Sequence, residues 1–290
     1  MYLNLDTPLP NSFQSNRNFT FKPKKRLGQV FLKNKEVLKK IIKAGEIKAG
    51  DLVLEIGSGT GVLTEAILQT KAKVVAIEKD SQMTKFLKEK FPKNRNLLVV
   101  EQDIRDFLRL KIGAGLGSGF KIKNLKFKVV GNIPYYLTSY LIRQLLESEV
   151  KPSLIVLMVQ KEVGQRITAN PPKMNLLAAS VQFFAEAKII ASISKSSFWP
   201  KPKVDSAIIK ISPFRSPANT DENFKKSFFH LLKAGFSQPR KLLLNNLGQK
   251  LKIPKEKLKI AFQKTKLPLN CRSQNLSLEN WLNLLDELLF

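Results

Sequence analysis

The sequence predicts an α/β fold: a mostly parallel sheet covered by helices on both faces, followed by a small all-helical domain. Three observations carry this prediction. From residue 51, short apolar runs alternate with amphipathic stretches, the pattern of strand–helix units that build a parallel sheet. The 290 residues are 43% hydrophobic, enough for a sizeable core. After Pro217 the alternation stops and only helical spacing remains.

Taken in order, residues 1–20 are polar and bear Asn, Ser and Pro, so they are expected to be disordered or loosely attached. Residues 22–26, Lys-Pro-Lys-Lys-Arg, form a basic run. Asn34 can cap a helix through about Ala44, with Val37, Leu38, Ile41 and Ile42 at helical spacing. Strands are predicted at 52–56, 74–78, 97–101, 127–131 and 154–159, and helices near 61–70, 81–90, 137–148 and 160–169. The glycines of residues 111–120 would suit a phosphate-binding loop, but no strand precedes them and no helix follows. That stretch reads as a flexible connector. Residues 175–193 read as a helix running into a strand, and 204–212 as a strand preceded by Pro200 and Pro202. Segments 220–234, 238–248, 254–264 and 277–289 show helical spacing. The expected organisation is a loosely attached segment 1–21, an α/β domain 22–215 and a helical domain 216–290.

Composition narrows the function. The net charge is +27, from 50 Lys and Arg against 23 Asp and Glu, and it is spread along the chain. Such a surface attracts polyanions, nucleic acid first among them. An anionic membrane surface fits less well, because neither end carries a basic amphipathic helix flanked by bulky apolar residues. Cys271 is the only cysteine and His230 the only histidine, which excludes disulfides, cysteine-based zinc sites and mechanisms built on Ser-His-Asp, Cys-His or several histidines. An enzyme of this composition works by positioning and hydrogen bonding, with no metal. The longest clean apolar run, 154–159, is too short to span a bilayer, and residues 1–20 lack a signal-like apolar core. A cytoplasmic setting without a membrane partner follows as the expectation.

Two groups of residues carry chemistry. Asn132-Ile133-Pro134-Tyr135 follows the apolar run 127–131. An Asn-x-Pro-aromatic turn at a strand end suits methylation of an exocyclic amine on a flat base. The Asn132 side-chain oxygen and the Pro134 carbonyl can each accept a hydrogen bond from the amine, and the Tyr135 ring offers a stacking face. The same residues would also serve as a plain strand-ending turn. The second group begins at Gly57-Ser58-Gly59-Thr60-Gly61, a glycine-rich turn after the strand that ends in Glu55-Ile56. Its spacing does not favour dinucleotide binding. Glu78, at the end of the second strand, can hold both hydroxyls of a ribose. Asp103, after the third strand, can take the amino group of an adenine. Each acid could instead be a helix cap, and Glu55 could be buried structure. Together Gly57, Glu78 and Asp103 outline an adenosine-shaped slot without a pyrophosphate site, which S-adenosylmethionine fits.

With these segments read, the chain resembles the ribosomal RNA adenine N6,N6-dimethyltransferases of the small-subunit, kasugamycin-resistance type, over roughly residues 22–250. The resemblance rests on residues 25–32 (Lys-Arg-Leu-Gly-Gln-Val-Phe-Leu), 54–61, 131–136 (Gly-Asn-Ile-Pro-Tyr-Tyr), 160–163 (Gln-Lys-Glu-Val) and 197–207. It implies a class I S-adenosylmethionine-dependent methyltransferase (Rossmann-like) sheet with a small all-helical C-terminal domain that binds RNA. It implies that Gln29, Val30 and Leu32 cover the cofactor, that Asn132 touches it, and that Tyr135 and Phe198 sandwich the target adenine. Read without the resemblance, Phe198 is a core aromatic. The implied reaction is dimethylation of two adjacent adenines near the 3′ end of 16S rRNA, on free rRNA or a pre-30S particle, by a monomer. Three positions depart from the family pattern. Val30 replaces a usual His or Asn, so only a backbone contact survives there. Pro172 to Leu177 replaces a Tyr-Gly-Arg-Leu segment. Pro239 stands where a second Arg is usual, and is read as lying in the first turn of a helix. Two alternatives share the motifs: a large-subunit rRNA adenine methyltransferase of macrolide-resistance type, and an rRNA-binding assembly factor without activity.

Overall fold

The computed structural model describes residues 22–109, 126–214 and 221–289. The readings of 1–21 and of 111–120, and the expected boundary at 215/216, lie outside the described residues.

After a 3₁₀ turn at Lys25–Leu27 come the short strand β1 (Phe31–Leu32) and helix α1 (Lys35–Ala44). Asn34 caps α1 by accepting from Glu36 N–H at 3.0 Å, and Val37, Leu38 and Ile41 are buried on its inner face. The alternating segment follows as β2 (Leu52–Ile56), α2 (Val62–Gln69), β3 (Lys73–Glu78), α3 (Ser81–Lys90), β4 (Leu97–Glu101), α4 (Ile104–Arg109), β5 (Phe127–Asn132), α5 (Thr138–Glu147), β6 (Leu154–Gln160) and α6 (Lys161–Ile167). Then come α7 (Leu176–Gln182), β7 (Ala185–Ile193), β8 (Phe198–Trp199) and β9 (Ser206–Pro213).

Among the described residues, seven strands form one sheet in the order β4-β3-β2-β5-β6-β9-β7. The pairs from β4 to β6 are parallel, whereas β9 runs antiparallel to β6, with Leu157 opposite Ile209. Every residue of β2 is buried, as a strand covered on both faces requires. The chain winds outward from β2 through β3 to β4, then restarts at β5 on the other side. Ligands of such sheets bind at the carboxyl ends of the strands flanking that reversal, and here those ends are Ile56 and Asn132. β1 and β8 make a separate two-stranded sheet, with Phe31 opposite Trp199 and Leu32 opposite Phe198. Strands this short carry no legible periodicity, so this pairing is absent from the sequence reading.

The chain divides into two compact units: Met1–Gly164 with Lys188–Pro213, and Gln165–Ala187 with Phe214–Phe290. Residues 165–187, grouped with the α/β domain on sequence, therefore cluster with the C-terminal helices. Those helices are α8 (Glu222–Gly235), α9 (Leu243–Leu251), α10 (Lys255–Lys264) and α11 (Leu278–Leu289). The second unit has its own aromatic core, in which Phe183 of the segment after α7 stacks on Phe228 at 4.5 Å. Trp281 is fully buried over Gly235, where any side chain would collide with it. Pro239 is not in a helix. Helix α9 starts only at Leu243, and residues 236–242 form a turn whose Gln238 carbonyl accepts from Asn246 Nδ2 at 2.9 Å. Helical spacing continued through the turn, which is why it reads as helix on sequence. No described helix is long and apolar enough to cross a membrane.

Gly131 sets how closely β5 approaches β2. A Cβ there would lie 2.7 Å from the Ile56 carbonyl oxygen, a backbone atom that cannot rotate away. Gly131→Ala is expected to cost ~1–3 kcal/mol of stability, read from the denaturant midpoint. An unchanged midpoint would show that the two strands tolerate wider spacing.

Candidate active site

At the carboxyl ends of β2 to β5 lies a cleft enclosing about 970 Å³ of empty space, its open mouth included. Its walls are the segment 27–32, the glycine turn 57–60, the ends of β3 and β5, and the residues that follow them. Each wall is held by identifiable contacts.

The glycine turn follows β2 with Gly57, Gly59 and Gly61 at φ of +73°, +50° and +73°, a conformation that disfavours side chains. Gly57 lies against β5, where a Cβ would sit 3.3 Å from the Asn132 carbonyl oxygen. Ser58 lines the cleft, and its Oγ is buried with no hydrogen-bond partner among the described residues. An orphaned hydroxyl in a concave wall beside backbone that can be approached closely suits a bound polar ligand.

Glu78 ties this turn to the end of β3. Its Oε2 accepts from Gly59 N–H at 2.9 Å, and its Oε1 accepts from Lys79 and Asp80 N–H, both at 2.9 Å. Burial raises the carboxyl above its ordinary value, against the pull of these three donors. Asp103 is different. Arg105 donates Nε and Nη2 to it at 3.1 and 2.7 Å, and Lys79 Nζ lies at 2.9 Å. The Arg105 hydrogen bonds, opposed by partial burial, hold this carboxyl well below the usual range, so it stays anionic. Glu55, 1% exposed, accepts from Thr64 Oγ1 at 2.6 Å and also lines the cleft. Burial pushes its carboxyl up to about 7, with the Thr64 hydrogen bond opposing and the neighbouring Glu78 adding to the rise.

Asn132 ends β5 at the cleft. Its Nδ2 donates to the Val30 carbonyl at 2.7 Å. A carbonyl only accepts, so this bond fixes which end of the amide is the donor and leaves Oδ1 as the acceptor. Val30 thus contributes through its backbone, as its apolar side chain requires. Pro134 lines the cleft, but its carbonyl is not free: it accepts from Leu137 N–H at 3.0 Å and keeps one lone pair for a second donor.

The sequence-predicted residues Gln29, Val30, Leu32, Gly57, Glu78, Asp103, Asn132 and Pro134 all meet in this cleft. Tyr135 and Phe198 are not among its walls. The Tyr135 hydroxyl pairs with Ser206 Oγ on β9 at 3.0 Å, and Phe198 is 2% exposed within the core cluster. Of the two aromatics that line the cleft, Phe31 is buried and Tyr136 is 63% exposed. The two tyrosines share a 3₁₀ turn over Tyr135–Leu137, where successive side chains point about 120° apart. Nothing in the sequence says which ring faces outward. Lys79 also lines the cleft and Asp80 follows it; their signal in the sequence is their place directly after Glu78. His230 is exposed on α8 and has no part in the cleft.

Comparisons with known proteins show the family of the chain. The profile of the family described as ribosomal RNA adenine dimethylase matches residues 20–289. A protein of Dehalococcoides mccartyi named ribosomal RNA small subunit methyltransferase A is 37% identical over 263 residues, 91% of this chain and 87% of that protein. The crystal structure of a dimethyladenosine transferase from Plasmodium falciparum is 31% identical with a TM-score of 0.69, covering 88% of this chain and 95% of that one. The crystal structure of the 23S rRNA methyltransferase ErmE has a TM-score of 0.72 over 90% of this chain and all of its own. At 23% identity it speaks for the fold alone.

The Glu55 carboxyl gives a pH signature. The folded chain holds a proton up to about pH 7 that the unfolded chain releases near its ordinary value of 4.5. The stability from that proton is fully present below the unfolded value and is lost as pH rises through the folded one, on the order of 3 kcal/mol in all. Melting temperatures between about pH 5 and about pH 8 should therefore fall in the native chain and stay flatter in Glu55→Gln, which keeps an acceptor for Thr64. Parallel curves would show that Glu55 does not titrate in this range.

Proposed function

The chain belongs to the ribosomal RNA adenine dimethylase family and is an S-adenosylmethionine-dependent rRNA adenine methyltransferase, and from that premise we propose its target and the residues that act on it. The target is a pair of adjacent adenines in a loop near the 3′ end of small-subunit rRNA, each converted to N6,N6-dimethyladenosine while the subunit is assembled. The chain acts as a monomer, in the cytoplasm, on rRNA or a pre-30S particle.

The observation that carries the assignment is the Asn132 amide. With Nδ2 committed to the Val30 carbonyl, Oδ1 accepts a hydrogen bond from the adenine amine, and the second lone pair of the Pro134 carbonyl accepts the other. The N6 lone pair is delocalised into the base, and two acceptors favour a pyramidal, more nucleophilic nitrogen. Bound in the cleft, the cofactor supplies an electrophilic methyl group on a sulfonium. Gly57 and the orphaned Ser58 hydroxyl suit its close approach, Glu78 its ribose and Asp103 its adenine amine, with Gln29, Val30 and Leu32 closing over it. The anionic Asp103 favours a cation in this cleft, and a cation bound there favours the charged forms of Glu55 and Glu78. No strong base is needed, because the amine proton becomes acidic as the new bond forms. Positioning supplies much of the acceleration. Tyr136, at the cleft where Tyr135 and Phe198 are not, offers an exposed aromatic face at the lip. The base leaves its stack to enter, so loop adenines are the natural substrates. Exposed Lys255, Lys257 and Lys259 of α10, with exposed Arg240 in the turn before α9, grip phosphates.

The test incubates the purified chain with labelled S-adenosylmethionine and unmodified small- or large-subunit particles, then digests the RNA to nucleosides. Label as N6,N6-dimethyladenosine in small-subunit RNA alone is expected; label confined to large-subunit RNA would overturn the target. Asn132→Ala should lower turnover by roughly 100-fold or more with cofactor affinity kept; turnover near native would remove Asn132 from the mechanism. Glu78→Gln turns an amide donor toward a backbone N–H. It should weaken cofactor binding by about tenfold or more in calorimetry; equal affinity would remove Glu78 from the site.

A further inference from the structure

We propose that Asp80 is a positioning residue: its carboxylate clamps residues 24–32 across the cofactor cleft and, through that segment, orients Asn132. Asp80 is not a wall of the cleft, and its side chain is only 1% exposed. Its Oδ1 receives Lys24 Nζ at 2.6 Å and its Oδ2 receives Gln29 Nε2 at 2.7 Å. The other end of the Gln29 amide accepts from Lys24 N–H at 2.8 Å, which closes a ring of three residues. Burial acts to raise the Asp80 carboxyl, but the hydrogen bonds from Lys24 and Gln29 outweigh it and hold it below the ordinary range. The carboxylate is therefore charged whenever the clamp is made.

The segment has two anchors. Its far end pairs with β8 through Phe31 and Leu32. Its near end has the Asp80 clamp. Between them run Gly28, which lies against Pro134, and Val30, whose carbonyl holds the Asn132 amide. Freeing the near end loosens one wall of the cofactor cleft and the group that sets the Asn132 acceptor. Asp80 sits where it can do this because Glu78 receives its N–H. One loop after β3 thus orders the glycine turn on one side and the N-terminal segment on the other.

Asp80 also caps α3, accepting from Gln82 N–H at 3.1 Å, so the test must separate capping from clamping. Asp80→Asn keeps a cap acceptor but loses the charge and presents a donor to Lys24 or Gln29. Lys24→Ala leaves the cap untouched, and Lys24→Arg keeps the ion pair. The inference rests on the methyltransferase reading, so three readouts are taken on the full chain. They are affinity for S-adenosylhomocysteine, tryptic cleavage after Lys25 and Arg26 with and without that ligand, and kcat and KM for S-adenosylmethionine on small-subunit particles.

For Asp80→Asn and Lys24→Ala the expected result is faster cleavage, lost protection by the ligand, and affinity and KM weakened by about tenfold. A lower kcat should accompany these, with melting temperature within ~2 °C of native for Lys24→Ala and recovery in Lys24→Arg. If Lys24→Ala is cleaved and protected as the native chain is, Asp80 is a helix cap only and the clamp is wrong. A native chain that fails to bind S-adenosylhomocysteine would instead overturn the cofactor reading, and the clamp with it.

Discussion

The Glu78 carboxylate accepts three backbone N–H groups from two different loops, and the geometry of the cleft depends on that arrangement. A buried carboxylate without donors would be strongly destabilising. Here the donors are Gly59, in the turn after β2, and Lys79 and Asp80, in the loop after β3. The charge is satisfied only when both loops take their places together. Parallel strand pairing brings the two loops side by side, with Ile56 level with Ile77, and the carboxylate locks them there. Behind it, the Glu55–Thr64 hydrogen bond pins the first turn of α2 to β2.

The second constraint is the spacing of β2 and β5. Without a side chain at Gly131, Ile56 and Gly131 lie level and in close contact, which sets Gly57 beside Asn132. Asn132 then reaches a residue 102 positions earlier in the chain. None of the groups assigned to the reacting amine titrates. In the proposed mechanism the chemistry follows from where two acceptors stand, and the burden falls on the scaffold that holds them.

Charge is divided in a way that suits two ligands of opposite sign. The chain as a whole carries +27, while the cleft walls include Glu55, Glu78 and Asp103. The long-range field draws a polyanion to the surface. The local field, led by the Asp103 carboxylate, favours a cation. Lys79 and Arg105 stand at the boundary, paired with Asp103, and keep its charge without opening the cleft to anions.

Elements whose signal is local are legible in the chain alone. The apolar runs of β2 to β6, the cap at Asn34, the glycine turn, and the acids and Asn at strand ends follow from periodicity and from the few residue types that suit each place. Their order along the chain suffices to bring Gly57, Glu78, Asp103 and Asn132 to one end of the sheet, because parallel strands align their carboxyl ends. What depends on distant partners emerges only in the folded chain. Tyr136 rather than Tyr135 faces the cleft because the 3₁₀ turn rotates them apart and Ser206, on β9, takes the Tyr135 hydroxyl. Phe198 is buried because β8 pairs with β1. Val30 serves through its carbonyl, which no residue type encodes, and Asp80 meets Lys24 and Gln29 across the loop after β3. Residues 165–187 join the C-terminal helices through aromatic packing. A periodicity shows which face is buried, but not against what; that choice belongs to long-range packing.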